Sequence, residues 1–138
     1  MKLLTLFAAF SFTALAGGLY LEIDKGTSGA LLTARVTSCH EPAKSIVKAS
    51  IVTIVDGQLK RQSLTVEPVS NQVGLYAITG SLPAENVVIE LSVTNPQFGS
   101  YQPRFLIRAG ARKIELGTKR FFSNLPPTLA DYRQALAG

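Results

Sequence analysis

The stretch Val47-Lys48-Ala49-Ser50-Ile51-Val52-Thr53-Ile54-Val55-Asp56-Gly57-Gln58-Leu59 decides the fold class. Val47, Ala49, Ile51 and Val55 fall on one side of a period-two pattern, with Lys48 and Ser50 on the other. Successive side chains of a strand point to opposite faces, so this run predicts a strand with one buried and one wet face. Asp56-Gly57 ends it. Both residues tolerate positive φ, and the pair is a favoured two-residue hairpin turn. Gln58 to Val66 reads as the returning strand.

The same alternation extends outward in both directions. Leu19, Leu21 and Ile23 alternate with Tyr20, Glu22 and Asp24; Ala30, Leu32, Ala34 and Val36 alternate with Leu31, Thr33, Arg35 and Thr37. Further on, Val87, Ile89, Leu91 and Val93 alternate with Val88, Glu90, Ser92 and Thr94. Tyr101, Phe105 and Ile107 alternate with Gln102, Arg104 and Arg108, and Ile114 and Leu116 with Lys113 and Glu115. Turns are expected at Asn71 to Gly74, Leu82-Pro83-Ala84, Asn95-Pro96 and Ala109-Gly110. About eight short strands at this spacing predict an antiparallel β-sandwich, with a closed barrel as the alternative. The expected core holds Leu21, Ile23, Leu32, Val36, Ala49, Ile51, Leu64, Val66, Tyr76, Ile78, Ile89, Leu91, Phe105, Ile107, Ile114 and Leu116. Pro103 predicts an edge position or a bulge for its strand.

The two ends of the chain differ from this pattern. Met1-Lys2 precedes the apolar run Leu3 to Ala16, which closes on Ala14-Leu15-Ala16. A charged start, a short apolar core and an A-x-A site predict a signal peptide over residues 1–16. The run is too short for a membrane-spanning helix, which takes about 20 residues. Export to the periplasm or outside the cell is therefore expected, with a sandwich domain over 17–122 and no transmembrane segment after cleavage. Residues 123–138 read as a linker containing Leu125-Pro126-Pro127 and a short C-terminal helix. There Thr128 precedes a capping-box-like start with Asp131 in place of the usual Glu or Gln. Leu129, Tyr132 and Leu136 share one face of that helix.

The segment Ser45 to Asn95 resembles secreted immunoglobulin-like and transthyretin-like modules, such as carboxypeptidase regulatory-like domains. The resemblance lies in Val47-Lys48-Ala49-Ser50-Ile51-Val52, Val55-Asp56-Gly57, Val73-Gly74-Leu75-Tyr76-Ala77-Ile78, and Leu82-Pro83 leading into Val87 to Val93. It implies an immunoglobulin-like sandwich and a binding or spacer role, and assigns no functional residue. Transthyretin-like hydrolases depend on several histidines, whereas this chain has His40 alone. Cys39-His40-Glu41-Pro42 resembles a motif in small exported bacterial proteins of unassigned function, which implies secretion.

The chemistry is bounded by scarcity. There is one cysteine, one histidine and no tryptophan. One cysteine makes no intrachain disulfide, so Cys39 is buried and free, paired between chains, or reactive or liganded. Cys39, His40 and Glu41 are the candidate metal ligands. Thiolate and imidazole suit copper, provided that a loop turns the adjacent side chains together. No Gly-x-Ser-x-Gly elbow and no Gly-rich phosphate loop is present.

Charge supplies the remaining signal. The chain carries a formal net charge of +5. Six basic residues, Arg104, Arg108, Arg112, Lys113, Lys119 and Arg120, fall in one segment with Glu115 as its only acid. Such a stripe predicts contact with an anion, or otherwise a solvated edge that discourages aggregation. Export directs it toward a protein, an anionic polysaccharide or another envelope component, and away from nucleic acid. The leading expectation is a secreted, non-enzymatic binding or accessory module of the cell envelope without a cofactor. The alternatives are a periplasmic copper-type protein and, third, a hydrolase.

Overall fold

Alternating apolar residues build two antiparallel sheets whose inner faces share one core. The structure is a computed structural model that describes residues 18–38 and 41–138. Its strands are β1 (Leu19–Lys25), β2 (Leu32–Ser38), β3 (Ile46–Val55), β4 (Gln58–Ser63), β5 (Thr65–Pro68), β6 (Leu75–Thr79), β7 (Val87–Thr94), β8 (Arg104–Gly110) and β9 (Lys113–Phe122). A helix, α1 (Leu129–Ala137), follows them. The four-stranded sheet runs β1-β2-β6-β5, and the five-stranded sheet runs β4-β3-β7-β8-β9. The predicted signal peptide falls outside the described residues. Among those described, no helix is long and apolar enough to cross a membrane.

The shared core follows the period-two reading. Leu21, Leu32 and Ile78 of one sheet meet Ile51, Ile89, Leu91, Phe105 and Ile107 of the other, all buried. Leu64, Val66, Tyr76, Ile114 and Leu116 pack against them half-buried. Each fully buried aliphatic or aromatic side chain contributes about 1.5–3 kcal/mol. This stacking holds the sheets together in the manner of a sandwich.

The hairpin reading of Asp56-Gly57 also holds. Their φ values of 51° and 76° make the turn that joins β3 to β4. Gln58 to Val66, however, is not one strand. β4 pairs with β3, whereas β5 pairs with β6 in the opposite sheet. Leu64 makes the crossing: its N–H donates to the Ala49 carbonyl at 2.9 Å, and the next residue, Thr65, pairs with Thr79. Its side chain fills the space beside Gly80, where a Cβ would fall 2.5 Å from Leu64 Cδ2.

Three other expectations change at β8. The strand begins at Arg104 rather than Tyr101, so Pro103 lies just before it. β8 is an interior strand between β7 and β9, and Pro103 is accommodated because it lies before the first pairing and offers only its carbonyl, which accepts from the Val93 N–H at 3.3 Å. The turn after β8 is Ala111-Arg112, with φ 51° and 62°, and Ala109-Gly110 belongs to the strand. Between Leu106 and Arg108 the β8–β9 register shifts. There Thr118 Oγ1 accepts from the Arg108 N–H at 2.9 Å and donates to the Glu115 carbonyl at 2.7 Å.

A second apolar cluster lies on the outer face of the five-stranded sheet. Val52, Val88 and Leu106 meet Tyr132 and Ala135 of α1. This corrects the assignment of Val88, Glu90 and Ser92 to a wet face: all three are buried. β7 is thus covered on both sides over most of its length. The predicted cap starts α1: Thr128 Oγ1 accepts from the Asp131 N–H, and the Asp131 carboxylate accepts from the Thr128 N–H at 2.7 Å.

Candidate functional site

The outer face of the five-stranded sheet is a grid whose rows follow from the pairing register. One row is Arg61–Val52–Val88–Arg108 and the next Ser63–Ser50–Glu90–Leu106–Arg120. A third is Lys48–Ser92–Arg104–Phe122. Directly opposed side chains on adjacent strands are near enough to interact. α1 lies against Val52, Val88 and Leu106 of the first two rows.

Glu90 anchors the boundary between the covered and open parts. It is 8% exposed, between the buried Ile89 and Leu91 in the middle of β7. Its Oε1 accepts from Arg61 Nε at 2.9 Å, and its Oε2 accepts from the Tyr132 hydroxyl at 2.5 Å. Arg61 Nη2 donates to the same hydroxyl at 2.9 Å, closing the triangle. The carboxylate holds the Arg61 guanidinium charged, raising its pKa above the usual arginine value. Burial, followed by the hydrogen bond to Glu90, pushes the Tyr132 phenol up to about 12. With both oxygens engaged and its charge balanced, Glu90 is held as a fixed acceptor.

Beyond this triangle lies an open cleft of ≈ 360 Å³. Ser50, Glu90 and Ser92 line it, together with Lys48, Arg61, Gln102 and Arg104. Three cations stand against one carboxylate, so the lining carries a surplus of positive charge. Gln102 Nε2 donates to Ser92 Oγ at 3.3 Å, and Gln102 Oε1 accepts from Arg104 Nη2 at 2.9 Å. The amide thereby orients both the hydroxyl and the guanidinium. Gln102 and Arg104 also line a second cleft, of ≈ 530 Å³, with Phe98, Ser100, Tyr101, Ser123, Asn124 and Pro126.

The six residues of the basic segment have different surroundings. Arg108 donates from Nε to the Leu136 carbonyl at 3.1 Å and from Nη1 to both Glu115 oxygens at 3.1 Å. Arg120 lies 3.6 Å from Asp131, bonds Gln134 at 3.1 Å and stands 5.0 Å over the Phe122 ring. Both therefore hold α1, and a cation at the last helical carbonyls complements the helix dipole. Lys119 lies 6.0 Å over the Tyr20 ring, where Tyr20 meets Phe105 and Phe121. Arg112 and Lys113 are exposed at the β8–β9 hairpin. Of the six, Arg104 faces the clefts.

Of the three candidate metal ligands, Cys39 and His40 lie outside the described residues. Glu41 is exposed and pairs with Lys44 at 3.1 Å. It also accepts from Gln97 Nε2 at 3.3 Å, and its carbonyl accepts from Asn95 Nδ2 at 3.2 Å. Among the described residues, no three His, Cys, Asp or Glu side chains come together in a geometry that could hold a metal ion.

No protein-family model matches the chain, and comparisons with the curated proteins and the solved structures found no match. Site chemistry therefore carries the functional reading. Lys48, Ser50, Arg61, Glu90, Ser92 and Gln102 were not candidates on sequence grounds. Their signal was present, in polar residues at alternate positions of β3 and β7, but only the sheet order places them side by side.

Proposed function

We propose that this chain is a non-enzymatic binding or accessory module of the cell envelope, exported by its N-terminal segment, and that it takes an acidic ligand in the Lys48–Ser92–Arg104 cleft. The observation that carries this reading is the cleft's composition. Lys48 and Arg104 flank the Ser92 hydroxyl, and Glu90, its one carboxylate, is already neutralised by Arg61. An occupied, balanced Glu90 is poorly placed to act as a general base, which favours binding over hydrolysis.

The architecture supports an immunoglobulin-like relationship. The order β1-β2-β6-β5 corresponds to strands A-B-E-D, and β4-β3-β7-β8 to C′-C-F-G, with β9 and α1 as additions. Modules of this architecture commonly present a sheet face or loop cluster to a partner.

Retention on a dextran sulfate resin tests the reading. In about 20 mM salt, where charges act well beyond 10 Å, the chain is expected to bind and to elute as salt rises. Lys48→Ala/Arg104→Ala is expected to elute much earlier, while Arg112→Ala/Lys113→Ala elutes close to the parent. Equal retention of the Lys48/Arg104 variant and the parent, or no retention of the parent, overturns the proposal.

A further inference from the structure

We infer that the ligand is an acidic oligosaccharide lying across both clefts, its acid group at Lys48 and Arg104 and its next sugar ring against Tyr101 and Asn124. This rests on the reading of the first cleft as a ligand site and adds a ligand class and a second subsite.

The two clefts share Gln102 and Arg104, so they form one trough with Arg104 at the junction. Arg104 is held by Gln102 Oε1, itself part of the lining of both clefts. Lys48 sits two strands away, about 9–10 Å across the sheet at the backbone. Ser92 lies between them, and the lining continues past Arg104 into the second cleft.

The chemistry also changes along that line. The first cleft holds Lys48, Arg61 and Arg104, whereas Arg104 is the only charged residue of the second. The second offers Tyr101 and Phe98 with Ser100, Ser123 and Asn124. Hydroxyl and amide groups both donate and accept, which matches the hydroxyls of a sugar ring. Aromatic side chains supply the apolar surface against which its C–H face can rest. The trough therefore fits a ligand that is acidic at one end and neutral, polar and ring-shaped at the next.

Calorimetric titration of the full chain tests this with five probes: glucuronate, a hyaluronan tetrasaccharide, neutral chitotetraose, inorganic phosphate and phosphatidylglycerol vesicles. The tetrasaccharide is expected to bind about tenfold more tightly than glucuronate or chitotetraose. Arg104→Ala should weaken it by a similar factor. Tyr101→Ala should cut the tetrasaccharide-to-glucuronate affinity ratio about fivefold. Asn124 is exposed, so Asn124→Ala gives the same readout without disturbing the core should Tyr101→Ala fail to fold.

Equal affinity for glucuronate and the tetrasaccharide overturns the inference and leaves a single-acid site standing. Binding of phosphate or vesicles without the tetrasaccharide likewise overturns it but keeps the anion-binding reading. Binding of none of the five defeats both.

Discussion

The outer face of the five-stranded sheet has two halves built from similar residues and used differently. Under α1, Arg61, Arg108 and Arg120 are each committed to a carboxylate and to the helix. In the open row, Lys48 and Arg104 flank a serine and face a trough. Charge type does not separate the halves; the presence of a covering element does. Guanidinium groups at the helix boundary fasten α1, whereas Lys48 and Arg104, just beyond it, line an open cleft.

The largest effects should come from the covered half. Tyr132 is 1% exposed and spans the apolar cluster and the polar triangle. Tyr132→Ala is expected to cost about 3–5 kcal/mol in urea unfolding, by cavity formation and loss of its hydrogen bonds. Lys48→Ala and Arg104→Ala should each stay within about 0.5 kcal/mol, as surface changes do. A comparable loss from the open-row variants would erase the distinction between the halves.

A smaller effect should appear in alkaline solution. The folded chain holds the Tyr132 proton up to about 12, against an ordinary phenol value of 10.0. Between those values the unfolded chain releases that proton first, so unfolding becomes easier as pH rises. This contribution is complete below pH about 10 and should fade by about 12, by about 1–2 kcal/mol. Unfolding at several pH values should show it in the parent, with a flatter profile in Tyr132→Phe. Identical profiles would mean that the phenol is not held as described.

The smallest effect concerns the start of α1. Hydrogen bonds from the Thr128 backbone and then its side chain hold the Asp131 carboxyl below the usual carboxylate range. The folded chain therefore takes up that proton less readily than the unfolded one. The cap's contribution is present above the ordinary value of 3.8 and is lost as pH falls below it. Thr128→Ala should cost about 1 kcal/mol at neutral pH. It should also lessen this acid sensitivity without abolishing it, because the backbone N–H at position 128 still donates to Asp131, measured as the difference from the parent in unfolding at pH 3 and 7.

The inner face was legible because alternation reports which side of a strand is apolar, and the shared core needs nothing more. The outer face was not, because alternation cannot tell water from a covering helix. Val88 and Glu90 occupy the same side of β7, and only the arrival of Tyr132 and Ala135 buries them. Leu64 was opaque for a related reason. A strand that changes sheets keeps its period, so Gln58 to Val66 looks continuous while its partners change. The basic segment showed its charge but not its partners, since Asp131, Gln134 and the Leu136 carbonyl belong to an element beyond it in the chain. The cap of α1 was readable because its bonds close within four residues.

The position of α1 in chain order bears on how the molecule is made. The nine strands of the described residues precede it, and its Tyr132 reaches back to Arg61, 71 residues upstream. During synthesis both sheets can pair while Val52, Val88 and Leu106 still lack their cover. A message cut short before the Thr128 codon would yield a paired but sticky intermediate, with the Glu90 carboxylate missing one of its donors. Docking of α1, rather than closure of the sheets, is then the event that covers this apolar face.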